Sequence, residues 1–404
     1  MKIFIYCPFI AAGKGGMERV GTELSNAMQS RGHEIILGFD KRNDNKPKYN
    51  VVPEVKLFPW DKPYSQLKKI LLKFNPDVFF VFNGGYRFIQ FLAAVDNTNI
   101  PFAIQECTNP MRLRKDNWAK LRRISLGQAS WERELVASAA VRIRQTMPSY
   151  VLSLPDYIRP QVRFFPNAVM PASKLANLSD GEHKKTIINI GGLKKVKNIF
   201  PLLEAFKKIS EEFPMWRIKV YGGGFKNEKS YQDSIHSFVK INGLENQIFF
   251  EGETDFIYDA YATSQIHVIT SKDEGRPTCV CEAMCHGLPS IGFNSTPGVN
   301  ELIRQNENGI LVDYKKEGIE AFSKKLSQLM SDNEMRQRLG KKAYENSKEF
   351  IPEKVYEIWE KFFNEAAKYK NNIDLLFKEQ AKINSELAFH ALRMRKQYLT
   401  YFKD

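Results

Sequence analysis

Two glutamates, Glu274 and Glu282, stand eight residues apart around the start of a predicted helix. The run Ile266–Ile269 before them is short and apolar, which is typical of a buried strand. A loop then leads to Pro277, a residue type that the first position of a helix tolerates. A glycine and a proline lie further on, so the pattern predicts a helix over about residues 278–286.

The start of that helix is a candidate anion site. The first backbone N–H groups of a helix, here those of Thr278, Cys279 and Val280, have no partner within the helix and carry about half a positive charge. Carboxylates beside a bound phosphate would repel it unless each has its own target, and an ionised carboxylate only accepts hydrogen bonds. Sugar hydroxyls donate them. The pattern therefore indicates a nucleotide-sugar pocket, with phosphates on the helix end and one glutamate on each of two sugars.

The motifs around the two glutamates resemble those of a known family. EG-x-P precedes the helix, E-x7-E spans its start, EAM-x-x-G-x-P follows, and the likeness continues through residues 298–303 and 308–312. In this order the run is similar to the donor site of retaining glycosyltransferases of family four, the group 1 type. The resemblance implies the GT-B architecture, in which two Rossmann-like, doubly wound α/β domains face a cleft. It also implies that Glu274 contacts the donor sugar, that Glu282 contacts the ribose hydroxyls, and that transfer retains the anomeric configuration.

A second group of candidates follows a strand predicted over residues 186–190. Relatives in the family have Gly-Arg-Leu here and a lysine near the next helix, and the two cations hold the diphosphate. Lys197 matches the lysine, whereas Gly192 stands where the arginine would be. Lys194 or Lys195 is the candidate for the missing charge, with a different geometry because lysine is a point donor and arginine a fork. For Lys197 alone, an ordinary exposed lysine is the alternative.

Three further residues complete the predicted donor site. Gly223 belongs to a glycine-rich turn after the strand predicted over residues 216–221, and the resemblance brings such a loop near the nucleotide. Arg276 and Pro277 lead directly into the helix that follows Glu274, so we assign both to the donor pocket.

The first part of the chain also contributes candidates. A strand, a loop, a helix and a strand follow one another over residues 2–39, which indicates a parallel doubly wound sheet. The loop is neither a dinucleotide fingerprint nor a P-loop, but the resemblance places Gly15 and Gly16 near the donor phosphate and the acceptor; a plain tight turn is the alternative. Glu106 follows a strand predicted over residues 102–105. It is a candidate for acceptor contact or acid/base work, and a loop ion pair is the alternative.

At 404 residues, the chain is expected to hold more than one domain. We predict an acceptor-binding Rossmann-like domain over residues 1–170, a linker over 171–185 and a donor-binding Rossmann-like domain over 186–345. Residues 346–404 would supply helices that cross back to the first domain and a basic amphipathic extension. A second basic stretch, residues 112–123, fits either a membrane-surface element or a solvated helix face.

The formal net charge of +14 favours an anionic partner such as a phosphorylated substrate or an anionic membrane surface. We expect no nucleic-acid partner, because no clustered basic face or stacking platform is evident. The chain opens in a strand-like run without a signal peptide, and its five cysteines form no disulfide framework, which together predict a cytoplasmic location. The basic segments extend this prediction to a peripheral position at the inner membrane face. The spacing of Cys279, Cys281 and Cys285 is not that of a metal site, so we expect no metal.

These observations predict a retaining glycosyltransferase. It would move a sugar from a nucleotide diphosphate sugar, a UDP-sugar in our interpretation, to a hydroxyl of a glycan or lipid-linked glycan in surface polysaccharide synthesis. Lys197 and the helix end would stabilise the departing diphosphate, and no cofactor beyond the donor would be needed. Three alternatives remain: a nucleotide-sugar epimerase of the same fold, an inactive glycan-binding or scaffold relative, and a basic nucleic-acid binder.

Overall fold

The structure is a computed structural model that describes residues 1–13, 15–42, 44–61, 64–82, 88–106, 126–179, 185–370 and 372. The chain divides into two compact units. The first comprises Met1–Pro166 and Val355–Asp404, and the second comprises Asn167–Lys354. Each unit is built on its own parallel β-sheet, which confirms the predicted doubly wound α/β class.

The first unit has a seven-stranded sheet in the order β3-β2-β1-β4-β5-β6-β7. Its strands are β1 (Lys2–Tyr6), β2 (Glu34–Asp40), β3 (Lys56–Trp60), β4 (Val78–Phe82), β5 (Phe102–Glu106), β6 (Arg142–Gln145) and β7 (Val162–Phe164). Its helices before the second unit are α1 (Gly16–Ser30), α2 (Tyr64–Phe74), α3 (Phe88–Val95), α4 (Leu126–Ala139) and α5 (Pro148–Val151). Strand β4 reads VFFVF and is buried throughout, as expected of a parallel strand covered on both faces.

The second unit has a six-stranded sheet in the order β10-β9-β8-β11-β12-β13. Its strands are β8 (Lys185–Ile190), β9 (Trp216–Tyr221), β10 (Ile248–Gly252), β11 (Ile266–Ile269), β12 (Ser290–Phe293) and β13 (Gly309–Val312). Its helices are α6 (Phe200–Ile209), α7 (Lys229–Ile241), α8 (Ile257–Ala262), α9 (Thr278–Cys285), α10 (Val299–Leu302), α11 (Tyr314–Ser331) and α12 (Asn333–Ser347). The last helix described, α13 (Pro352–Ala367), has most of its length in the first unit.

Both sheets reverse their strand order beside their first strand. In the first unit β1 lies between β2 and β4, and in the second unit β8 lies between β9 and β11. Loops at such a switch point diverge to opposite faces of the sheet, and the crevice that they leave beyond the carboxyl ends of the strands is where open α/β sheets bind ligands. The loop after β8 and the loop after β11 are therefore expected to hold the ligand of the second unit.

Two predicted strands, β9 and β11, match the structure residue for residue. The predicted start of α9 at Thr278 agrees with the structure. Pro277 has φ −67° and ψ 105°, which is an extended conformation, so it is the cap before the helix and not its first residue. The helix ends at Cys285, one residue before the predicted end, because His286 no longer has helical dihedral angles.

Other predictions concern segments that border the described residues or lie outside them. Residues 171–179, within the predicted linker, contain no helix or strand, and the N–H of Ala176 donates to the carbonyl of His286 in the second unit (2.8 Å). The basic stretch of residues 112–123 and the extension from residue 373 onward lie outside the described residues. None of the helices in the described part of the chain has both the length and the apolar content that crossing a membrane requires.

Helix α13 packs on the sheet of the first unit through aromatic side chains. Phe80 of β4 contacts Trp359 and Phe363 edge to face, with ring centroids 5.2 and 5.5 Å apart. Phe165 meets the Trp359 ring at 4.9 Å. The buried guanidinium of Arg144 lies over that same indole at 4.9 Å. Aromatic pairs of this kind add to the free energy of burial, so this face anchors the helix.

An ion cluster closes the edge of the same interface. Glu365 Oε2 of α13 accepts hydrogen bonds from Arg142 Nε and Arg163 Nε, both at 2.8 Å. Burial alone would raise the pKa of Glu365, but the hydrogen bonds from Arg163 and Arg142 outweigh it, and the pKa is lowered. A carboxylate whose pKa falls on folding stabilises the fold above its unfolded pKa and loses that contribution as the pH falls.

We therefore predict that Glu365→Gln lowers the free energy of unfolding of the chain by about 1 kcal/mol at pH 7, because both arginines lose their charged partner. The difference from wild type should shrink as the pH drops through the acidic range, where the wild-type carboxylate is protonated. Denaturant titrations at several pH values measure it. Glu357→Gln, on an exposed position of the same helix, is the matched control. A deficit for Glu365→Gln that stays constant with pH would contradict the ion-cluster explanation.

Candidate active site in the second unit

The loops after β8 and β11 are hydrogen-bonded to each other. The N–H of Lys272 donates to the carbonyl of Val196 (2.9 Å), and the Asn198 side-chain amide donates to the carbonyl of Thr270 (3.2 Å). Asn198 itself has φ +48°, a left-handed conformation that asparagine tolerates better than most residues. The two loops at the switch point therefore form one framework, and side chains on them face a common space.

Lys197 and Glu274 meet in that space. Lys197 Nζ lies 2.7 Å from Glu274 Oε1, and the exposed fractions of the two side chains are 26% and 10%. The stem of Lys197 passes over Gly191, where an added Cβ would lie 2.8 Å from the lysine Cγ and Cδ. Two residues that were assigned to the diphosphate and the donor sugar are thus brought together, and glycine is required for the close approach.

Gly192 cannot carry the arginine that the family motif has at this position. Its φ is +69°, and an added Cβ would lie 2.1 Å from the carbonyl oxygen of Gly223 and 2.6 Å from the carbonyl carbon of Gly222. The obstacle is backbone, which has little room to move. The loop after β8 therefore packs directly on the glycine turn after β9, and Gly223 lies in this contact.

The nearby lysines are held by other groups. Lys194 Nζ lies 4.9 Å from the centre of the Phe225 ring, in the turn after β9. The backbone N–H of Lys195 donates to Glu228 Oε2 (2.9 Å). Lys194 is thus on the same side of the sheet as Gly223 and remains our candidate for the missing positive charge. Lys197 is the lysine that contacts a predicted site residue directly.

The amino end of α9 offers fewer free N–H groups than predicted. Within the described residues, the N–H groups of Thr278 and Cys279 have no hydrogen-bond partner. Val280 was wrongly included: its N–H donates to the carbonyl of Pro277 (3.1 Å), because the first turn tightens around the extended proline cap. Two N–H groups therefore remain for an anion, and the helix is eight residues long.

Glu282 is buried in α9 and is held from the neighbouring helix. Tyr261 of α8 places its hydroxyl 2.7 Å from Glu282 Oε2 and 3.1 Å from the carbonyl oxygen of Cys279. Sequence reasoning missed Tyr261, because it lies outside the motif run and its ring is simply one apolar position of a short helix. Its one signal in the sequence is its place in the short run of residues 258–262 before β11.

Arg276 is directed at the body of the second unit. Its guanidinium lies 5.0 Å from the centre of the Phe350 ring. It also opposes the effect of burial on Cys281, whose thiol pKa is nevertheless raised. These contacts fix the loop that carries Glu274, so a positioning role fits Arg276 better than direct contact with a donor.

The cysteines of α9 behave as small apolar groups. Cys279, Cys281 and Cys285 are buried, and burial raises the thiol pKa of Cys285 to about 12. Burial also raises the pKa of the Cys279 thiol, on which the charges of Lys197 and Glu274 act as well. Among the described residues, no group of three or more histidine, cysteine or acidic side chains is arranged to hold a metal ion.

The candidates of the first unit lie at the carboxyl ends of its strands. Gly15 caps α1 in an extended conformation (φ −127°) that any residue can adopt, and Gly16 is the first residue of the helix. Their predicted role near donor and acceptor stays a prediction.

Glu106 ends β5 and is buried in an ion pair. Arg133 donates to both of its carboxylate oxygens, with 2.8 Å between Nη2 and Oε2. The side-chain amide of Gln145 donates to Oε2 as well. Arg133 is bonded further to the hydroxyl of Ser153 (2.9 Å). Of the two roles open to Glu106, these contacts favour the ion pair, because three hydrogen bonds already reach its carboxylate; acid/base work stays a prediction.

Comparison with known proteins agrees with this geometry. Residues 174–346, almost the whole second unit, match the family described as glycosyl transferases group 1. This part of the chain belongs to the group 1 glycosyltransferases. The match contains Lys197, Glu274 and Glu282, the residues that the switch point brings together. The predicted family and enzyme class are therefore confirmed.

Relatives of this glycosyltransferase extend over both units. An uncharacterized glycosyltransferase of Haemophilus influenzae is 26% identical over 359 residues, which cover 85% of this chain and 95% of the relative. A Campylobacter jejuni protein named as an undecaprenol-diphosphate-linked glycan α-1,4-N-acetyl-D-galactosaminyltransferase is 25% identical over 369 residues, 87% of this chain and 95% of its own. The crystal structure of Anabaena HepE in complex with UDP has a TM-score of 0.68 at 14% identity and covers 94% of this chain and 100% of HepE, which shows a shared fold.

The glycine contact in this glycosyltransferase leads to a prediction. Gly192→Ala should lower the free energy of unfolding by roughly 2–4 kcal/mol, because it combines a left-handed backbone with a clash against the Gly223 carbonyl. Gly192→Arg should destabilise at least as much and should not improve nucleotide binding. Denaturant unfolding and calorimetry measure the two effects.

Gly243→Ala is the matched control for this prediction. Gly243 has φ +64°, but no atom of the described residues lies within 4 Å of an added Cβ, so the substitution carries the backbone cost alone. That cost is about 1 kcal/mol. If Gly192→Ala were no less stable than Gly243→Ala, the loops after β8 and β9 would not be in the close contact described.

Proposed function

We propose that this enzyme transfers a sugar from a UDP-sugar to a hydroxyl of a glycan or lipid-linked glycan acceptor, with retention of the anomeric configuration. The observation that carries the proposal is the Lys197–Glu274 ion pair at the switch point of the second sheet. Beside it lie the buried Glu282 and two helix N–H groups that have no hydrogen-bond partner among the described residues. A cation, an anion site and two separate carboxylates are what a diphosphate bearing two sugars requires.

The chemistry follows from the charges. When the bond between the sugar and the nucleotide diphosphate breaks, negative charge accumulates on the departing phosphate oxygens. Lys197 and the N–H groups of Thr278 and Cys279 would stabilise that charge. They are fixed in place before the reaction, so they need little reorganisation. Glu274 would accept hydrogen bonds from the donor sugar and hold its anomeric carbon toward the acceptor hydroxyl.

The finer assignments have separate support. The UDP complex of HepE, a protein of the same fold, supports uracil as the base. The printed name of the Campylobacter relative supports an acceptor linked to a lipid diphosphate. The formal charge of +14 is consistent with such an acceptor and with work at an anionic membrane surface on the cytoplasmic side. Retention of configuration rests on the resemblance of the Glu274–Glu282 motif run to retaining enzymes. No cofactor beyond the donor is part of the proposal.

Glu274→Gln tests the proposal because it should separate binding from transfer. The substitution removes the charge that neutralises Lys197, so free UDP should bind at least as tightly as to wild type. Transfer from the UDP-sugar should fall by about 100-fold or more, since the donor sugar loses its charged partner. Calorimetry with a panel of nucleoside diphosphates and a coupled assay for UDP release in the presence of acceptor give the two numbers.

Glu320→Gln is the matched control, because it removes one carboxylate paired with a surface lysine, Lys208, in the same unit (2.6 Å). It should alter neither quantity. If the wild-type chain binds none of the nucleotides, the donor site as described is wrong and a scaffold role is favoured. If a nucleotide sugar is converted without acceptor, the enzyme is an epimerase.

A further inference from the structure

A stack of three aromatic rings contacts Glu282, and the family motifs do not account for it. The ring of His286 lies between two tyrosine rings, 5.0 Å from Tyr261 at an interplanar angle of 22° and 5.6 Å from Tyr258 at 18°. His286 Nδ1 lies 2.8 Å from the carbonyl oxygen of Glu282. The stack therefore touches Glu282 twice, at its backbone through His286 and at its carboxylate through Tyr261.

The proton positions in this stack follow from its contacts. Burial lowers the pKa of His286, so its imidazole is neutral at neutral pH and donates from Nδ1 to the carbonyl. The Tyr261 hydroxyl has one proton and two acceptors within reach. The carboxylate of Glu282, at 2.7 Å, is nearer than the carbonyl of Cys279, at 3.1 Å, and a charged acceptor forms the stronger bond. Tyr261 therefore donates to Glu282.

The Tyr261 ring is held in this position by burial and packing. It is completely buried and packs with Ala260 and Ala283 in a small cluster that joins α8 to α9. A carboxylate on a flexible side chain would otherwise sample several rotamers and lose entropy on binding. The buried hydroxyl of Tyr261 restricts the Glu282 carboxylate to one orientation.

We propose that Tyr261 is a positioning residue that fixes the Glu282 carboxylate toward the ribose of the nucleotide, and that the pair makes the donor site select ribonucleotides over deoxyribonucleotides. This inference rests on the proposed function, in which Glu282 accepts hydrogen bonds from ribose hydroxyls. The hydroxyl of Tyr261 acts through Glu282 and does not touch the nucleotide.

The test compares UDP with 2′,3′-dideoxyuridine diphosphate by calorimetry. Wild type should prefer UDP, because only UDP offers hydroxyls to Glu282. Tyr261→Phe keeps the ring stack and removes one hydroxyl. It should weaken UDP binding by about tenfold, the size of a lost hydrogen bond to a charged group, and leave the dideoxy nucleotide almost unaffected, so the preference shrinks by the same factor. Tyr314→Phe is the control, since Tyr314 stacks on Phe293 in the same unit (4.6 Å) and belongs to α11, not to α8 or α9.

A double-mutant comparison separates positioning from a merely structural role. In a Glu282→Gln background, adding Tyr261→Phe should cause little further loss of UDP affinity, because the group that Tyr261 positions has already lost its charge. Equal losses in both backgrounds, or an unchanged preference for UDP in Tyr261→Phe, would overturn the assignment of Tyr261 while wild-type UDP binding upholds the proposed function. Absence of UDP binding to wild type would overturn both.

Discussion

The ion pair between Lys197 and Glu274 is the interaction on which the site depends. Its distance is 2.7 Å, and both side chains are largely removed from solvent. An uncompensated charge in that position would be costly, so each partner stabilises the other while the site is empty. A bound diphosphate sugar would replace both partners at once, because its phosphates pair with the lysine and its sugar hydroxyls with the carboxylate. The two side chains are therefore paired while the site is empty, and a donor must separate them in order to bind.

Close backbone contacts between loops set where those charges can lie. The loop after β8 rests on the glycine turn after β9 so closely that Gly192 has no room for a side chain. On the other side, backbone hydrogen bonds join the same loop to the one after β11. An arginine is thereby excluded from the position where the family has one, and positive charge enters from Lys197, whose stem passes over Gly191. Loop packing, and not charge alone, explains why this chain departs from the motif.

Local patterns were sufficient for much of this site and for most of the fold. The apolar runs of β9 and β11 and the proline and glycine around α9 predict those elements to within a residue, because they are properties of neighbouring residues. The prediction that the Val280 N–H is free was wrong because it depended on local geometry. With Pro277 extended, the first turn tightens and the Val280 N–H donates to the Pro277 carbonyl. Tyr261 and the Arg133 partner of Glu106 were not predictable, since each contact joins residues about twenty or more positions apart through the tertiary fold.

The central claim is that the diphosphate of the donor displaces Glu274 from Lys197 at the amino end of α9. A crystal structure of the chain with UDP tests it most directly. The account predicts phosphate oxygens within hydrogen-bond distance of Lys197 Nζ and of the N–H groups of Thr278 and Cys279, with Glu274 no longer paired to the lysine. UDP bound elsewhere on the chain, or bound here with the Lys197–Glu274 pair intact and the helix N–H groups unused, would contradict it.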